Sequence, residues 1–139
     1  MIILDTDVLS EMLKLEPEEA FARNMRRLDI GETYVASISF AEMRAGVELL
    51  PTGERRDLLD LRINLVFERD FAGRVIDFSS AAAFEFGEIV GKVGRAVFDD
   101  MVMDAQIAAI ARARGASVAT RNIKHFKLFE VPLLNPWNA

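Results

Sequence analysis

Ile2-Ile3-Leu4-Asp5-Thr6-Asp7-Val8-Leu9-Ser10-Glu11 is the stretch on which the fold turns. A short apolar run, Ile2 to Leu4, meets Asp-Thr-Asp, whose side chains can accept hydrogen bonds from a helix start. It reads as a buried strand whose polar end caps a helix over Val8 to Lys14. Outward from it the same alternation repeats. Pro17 opens a helix running to about Leu28, and Thr33 to Ile38 is a β-branched and aromatic strand. Ser39 offers an N-cap with Glu42 at capping-box spacing, for a helix to Leu50. After Pro51-Thr52-Gly53 the stripe Leu58, Leu59, Ile63, Val66 predicts another helix, closed near Gly73. Val75 to Phe78 is a third strand, with Ser79 or Ser80 capping a helix that breaks near Gly91 and Gly94. Asp100 to Arg114 is a long helix ended by Gly115, and Ser117 to Thr120 and Val131 to Leu134 are the last two strands. Short apolar strands separated by amphipathic helices predict an α/β sandwich with a parallel sheet covered on both faces. Ligands of such sheets lie beyond the carboxyl ends of the strands.

Composition bounds the function. With 139 residues, 51% hydrophobic and 28% charged, the chain has enough apolar surface for one core, and without repeats or linkers it reads as one domain over residues 1–139. The lack of cysteine excludes disulfide frameworks, thiolate zinc sites and cysteine nucleophiles. Asp5 interrupts the first apolar run too early for a secretory signal, and no stretch reaches the ~20 apolar residues of a membrane helix. A cytoplasmic location with no membrane partner is expected. A net charge of −5 speaks against a protein that holds nucleic acid chiefly by releasing counterions. It speaks less strongly where carboxylates gather around divalent cations, which invert the local field.

Asp5 ends the first strand, Glu42 opens the helix after the second, and Asp104 lies early in the helix before the fourth, so the three can meet at one rim of the sheet. Singly, each has a plain structural role as turn residue, capping-box partner or helix-dipole complement. Together they point further. Apolar neighbours from Met101 to Ala111 bury the Asp104 helix, and two carboxylates ~5 Å apart repel by roughly 3 kcal/mol at an effective dielectric of ~20. A divalent cation answers that repulsion, and hard oxygen ligands favour magnesium or manganese over zinc. Such a site supports phosphodiester hydrolysis without a side-chain nucleophile. Ser37, Ser39, Ser79 and Ser80 are better read as caps.

The blocks Ile3 to Glu11, Ser39-Phe40-Ala41-Glu42-Met43-Arg44-Ala45-Gly46, Asp104-Ala105-Gln106-Ile107-Ala108-Ala109-Ile110-Ala111 and Ala119-Thr120-Arg121-Asn122 resemble the PIN-domain toxins called VapC. Asn135-Pro136-Trp137 resembles their FitB branch. The resemblance implies a three-layer α/β/α domain with a central parallel sheet, and a homodimer or larger assembly with a small cognate antitoxin. It implies a magnesium- or manganese-dependent endoribonuclease acting on structured RNA such as tRNA or rRNA loops, and contact with operator DNA only through the antitoxin. Carried over by position, Asp5, Glu42 and Asp104 are the metal ligands and, with Asn122, the catalytic set. Thr6, Thr120 and Arg121 touch substrate or support those groups. Many relatives place an aspartate near the end of the fourth strand where this chain has Asn122, which adds no charge and puts a second metal in question. His125 is either a phosphate contact or proton donor, or an ordinary surface or packing residue, and Asp99 and Asp100 are read as caps before ligands. Arg112, Arg114, Arg121, Lys124 and Lys127 form a basic cluster that fits an RNA backbone or a solvated helix face. Phe67, Phe71, Phe84, Phe86 and Phe98 read as packing or partner-binding surface before base stacking. The alternative function is a weakly active or inactive regulatory partner that binds its antitoxin and tunes operator binding.

Overall fold

The computed structural model describes residues 1–138; Ala139, the last residue of the expected domain, lies outside them. The strands are β1 (Ile2–Leu4), β2 (Thr33–Ala36), β3 (Val75–Ile76), β4 (Ser117–Ala119) and β5 (Leu133–Leu134). The helices between them are α1 (Thr6–Met12), α2 (Glu19–Met25), α3 (Ser37–Glu48), α4 (Glu54–Leu65), α5 (Ser80–Val93), α6 (Val97–Asp100), α7 (Val102–Arg114) and α8 (Ile123–Phe126). All pairings are parallel, in the order β3-β2-β1-β4-β5. Leu4 stands opposite Val35 on one side and Ala119 on the other.

Side chains alternate across each strand, so one strand feeds two cores. Ile3, Ala36, Ile76 and Val118 pack under α5, α7 and α8, where buried Ala105, Ala108, Ala109 and Ala111 let α7 approach closely. Leu4, Val35 and Ala119 face the opposite layer with Val8 and Leu9 of α1, Phe21 of α2, Met43 and Val47 of α3, and Ile63 of α4. This is the expected three-layer α/β/α sandwich. α4 continues into a π-helical turn over Val66–Asp70, and Phe67 and Phe71 are buried there, whereas Phe84 and Phe98 are 69% and 58% exposed, which leaves them the surface half of their expected reading rather than the packing half.

The element boundaries differ from expectation in ways that matter for the site. β2 ends at Ala36 rather than Ile38, because its neighbour β3 offers only Val75 and Ile76 to pair with Val35 and Ala36. α3 therefore starts at Ser37, and Ser39 is a buried residue of its first turn, not its cap. The long helix from Asp100 is two: Met101, at φ −117° and ψ 7°, separates α6 from α7. Ser79 does cap α5, accepting from the Ala82 N–H at 3.1 Å, and Gly115 ends α7 in the left-handed region at φ 64°.

Candidate active site

The strand order reverses direction at β1 and β4, and the crevice beyond their carboxyl ends is where a parallel sheet leaves room for a ligand. Asp5 is the first residue past β1. Its N–H donates to Ala119 O at 3.0 Å, extending the ladder, and its Oδ1 caps α1 by accepting from the Val8 N–H at 3.0 Å. Its Oδ2 accepts from Thr120 Oγ1, the first residue past β4. Thr120 Oγ1 also accepts from the Asn122 N–H at 2.9 Å, so one buried hydroxyl ties the ends of both central strands together.

Glu42 reaches the rim from the second turn of α3. Thr6 Oγ1 lies 2.9 Å from both Glu42 Oε1 and Ser39 Oγ. A hydroxyl has one proton; given to the carboxylate, it leaves Thr6 accepting from Ser39. Asp104 comes from the first turn of α7. Asn122 Nδ2 donates to its Oδ2 at 3.1 Å and lies 2.8 Å from His125 Nδ1, which is 3.5 Å from the same oxygen. The His125 ring, read from sequence with several roles, stands against Asp104.

Electrostatics identify this corner as unusual. Burial pushes the Asp5 carboxyl from 3.8 up to about 7, against the hydrogen bonds from Thr120 and Val8, with Asp7 and Asp104 adding like-charge repulsion. Glu42 is raised chiefly by burial, opposed by Thr6, with Asp104 and Asp7 pushing the same way. Burial also raises Asp104, the His125 and Asn122 contacts oppose it, and Asp7 adds to it. Three carboxyl groups drawn upward together mark a candidate functional site.

A cleft of about 410 Å³ opens over this corner, lined by Glu42, Asp104, Asn122 and His125 together with Asp7, Asp99 and Asp100. Asp5, 2% exposed, is not among the lining residues and meets the others through their fields. Thr6 hydrogen-bonds Glu42, and Thr120 hydrogen-bonds Asp5. Arg121 does not join the cleft: its guanidinium pairs with Glu18 at 2.9 Å and stacks 4.3 Å above Trp137, which packs on Phe21. Arg112 is likewise tied to Glu85 and to Phe129 O, which removes it from the expected basic cluster. Sequence reasoning missed Asp7, although its signal was present as the second acid of Asp-Thr-Asp. It read Asp99 and Asp100 as caps, whereas both line the cleft.

The donor set suits a hard divalent cation: carboxylate oxygens, an amide and an imidazole, with no thiolate. Among the described residues no three Asp, Glu or His side chains lie close enough together to hold a metal ion as they stand. The burial shared by Asp5, Glu42 and Asp104 is what a cation would relieve, since it favours the charged form that burial disfavours.

Comparison with known proteins agrees with this arrangement. The chain is 33% identical over 138 residues to Toxin FitB of Neisseria gonorrhoeae, covering 99% of both chains. It is 33% identical over 137 residues to VapC ribonuclease Y4jK of Sinorhizobium fredii, covering 99% of this chain and 98% of that one. Among solved structures, one of FitAB bound to an IR36 DNA fragment superposes with a TM-score of 0.87 at 33% identity, covering 100% of this chain and 97% of that one. The PIN domain pattern itself matches residues 2–130. With the strand order, the carboxylate corner and these likenesses in agreement, the chain belongs to the PIN domain family.

Proposed function

We propose that this chain is the toxin of a toxin–antitoxin pair, an endoribonuclease that needs magnesium or manganese and cuts structured RNA such as tRNA or rRNA loops. The observation that carries this reading is the cleft at the ends of β1 and β4, where Glu42 and Asp104 converge over the buried Asp5. The relatives named as toxin and ribonuclease support the activity, and the FitAB complex on DNA supports a small antitoxin as the partner through which the chain meets operator DNA. A homodimer within that complex belongs to the same proposal. Among the described residues no helix is long and apolar enough to cross a membrane. A cytoplasmic site of action is part of the same proposal.

In this reading Asp5, Glu42 and Asp104 hold the cation. A divalent ion bound there supplies Lewis-acid polarisation of a phosphoryl oxygen and a water of lowered pKa. The chain supplies orientation. Thr120 fixes Asp5 Oδ2, Thr6 and Ser39 hold Glu42, and the Asn122 amide, with His125 beside it, holds Asp104 Oδ2. Arg121 holds the C-terminal segment against α2 rather than contacting RNA.

Purified protein is expected to cleave RNA when magnesium or manganese is supplied and to stop when the ion is chelated. Activity that persists in Asp5→Asn under chelation would reject the mechanism. Antitoxin binding without cleavage by the intact chain would favour the regulatory alternative.

A further inference from the structure

Two features stand outside the cleft: the C-terminal motif Asn135-Pro136-Trp137 and the buried Glu11. Both lead to Arg121. Its chain neighbours hold the carboxylates, Thr120 bonding Asp5 and Asn122 bonding Asp104. The backbone turns tightly there, with the Ile123 N–H donating to Arg121 O at 2.9 Å, and no helix or strand includes residues 120–122. The Arg121 side chain is anchored away from the cleft, on Glu18 and the Trp137 ring, and each of those partners is fixed in turn. The Glu18 N–H donates to Glu11 Oε1 at 2.9 Å, and Glu11 pairs with Lys14. Trp137 packs on the buried Phe21, and its backbone N–H donates to Asn135 Oδ1 at 3.0 Å. Asn24 Nδ2 donates to Pro136 O at 2.9 Å and to Asn138 O at 3.2 Å, which ties the motif to α2. The motif also follows directly on Leu134, whose carbonyl accepts the Thr120 N–H at 2.9 Å. One terminal segment therefore grips the 120–122 turn by the backbone at Thr120 and by the side chain at Arg121.

We infer that Asn135-Pro136-Trp137, acting through Arg121, positions the turn that orients Asp5 and Asp104 for RNA cleavage. Arg121 and Trp137 are positioning residues, and their role rests on the ribonuclease reading proposed above. An ion pair whose partners are both about half exposed, and a cation stacked on a ring beside it, add little to overall stability. Their effect is geometric, since a misplacement of about 1 Å can cost about a hundredfold in rate. Two plainer explanations compete. If the motif only closes the apolar layer over Phe21, its loss lowers the melting temperature and leaves turnover as it was. If Arg121 instead holds RNA, its loss raises KM.

Amide hydrogen exchange and RNA cleavage with manganese, both measured well below the melting temperature of every variant, separate the three on the purified full-length chain. Exchange at Asn122, whose N–H is held by Thr120 Oγ1, is expected to quicken about tenfold in Arg121→Ala and in Trp137→Leu, while Leu4 in β1 keeps the wild-type rate. In both variants kcat should fall about tenfold with KM for RNA within about twofold of wild type. Trp137→Phe, which keeps a ring under the guanidinium, should retain most of the wild-type exchange and kcat. Glu18→Ala should lower kcat as well, whereas an RNA-holding Arg121 released from Glu18 would lower KM. Unchanged exchange at Asn122, unchanged kcat, or an effect confined to KM would overturn the inference. If the wild-type chain leaves RNA intact, the ribonuclease reading fails and exchange alone decides the clamp: faster at Asn122 in Arg121→Ala and Trp137→Leu, it stands as a device that holds the turn; unchanged, it falls.

Discussion

At Asp5 the demands of folding and of the site oppose each other. The carboxyl is 2% exposed and its folded value of about 7 lies above the ordinary 3.8, so between those values the native chain holds a proton that the unfolded chain has released. Stability from this group is therefore greatest at low pH and declines as pH rises through the window, by roughly 4 kcal/mol in all. Glu42 and Asp104 shift in the same direction. Without divalent metal, melting temperature should fall between pH 5 and pH 8. Asp5→Asn should melt several degrees higher than wild type at pH 8 while losing RNA cleavage, and a variant that melts lower there would contradict the assigned burial cost. Thr120→Val deletes the hydroxyl shared by Asp5 and the Asn122 N–H, and urea denaturation should register a loss of about 1–3 kcal/mol. At this scale Asp5 was legible as a candidate from its place at a strand end, and Glu42 and Asp104 from theirs early in the helices after β2 and before β4. Arg121 was not, because its capture by Glu18 and Trp137 depends on contacts between distant parts of the chain.

The elements show why boundaries resist reading. Ser39 and Glu42 keep capping-box spacing whether α3 begins at Ser37 or after Ser39, and only the short partner strand β3 decides. The true start makes Ser39 a support for Thr6 and so for Glu42, a role no local pattern announces. Caps with their own geometry were legible: Ser79 on α5 and Gly115 after α7. Gly115, at φ 64°, occupies a backbone region that penalises a Cβ. Gly115→Ala should lower stability by about 1 kcal/mol in chemical denaturation without changing RNA cleavage, since the residue stands at the far end of α7 from Asp104. Equal stability would mean the cap is not under strain.

For the molecule as a whole, layer type was legible because strand and helix periods alternate along the chain, but strand order was not. Placing β1 between β2 and β4 requires crossovers on both faces, and it is this order that brings Asp5, the α3 turn with Glu42 and the α7 turn with Asp104 to one rim. The net charge of −5 is partly explained by the same rim, which gathers acids from α1, α3, α6 and α7. A cleft so acidic should bind RNA only once its carboxylates are shared with metal. The most direct test is sequencing of RNA ends in cells after induction of the wild-type chain, with Glu42→Gln as control. New ends at a defined set of structured loops, absent from the control, are predicted; end profiles that are the same for both proteins would contradict the account.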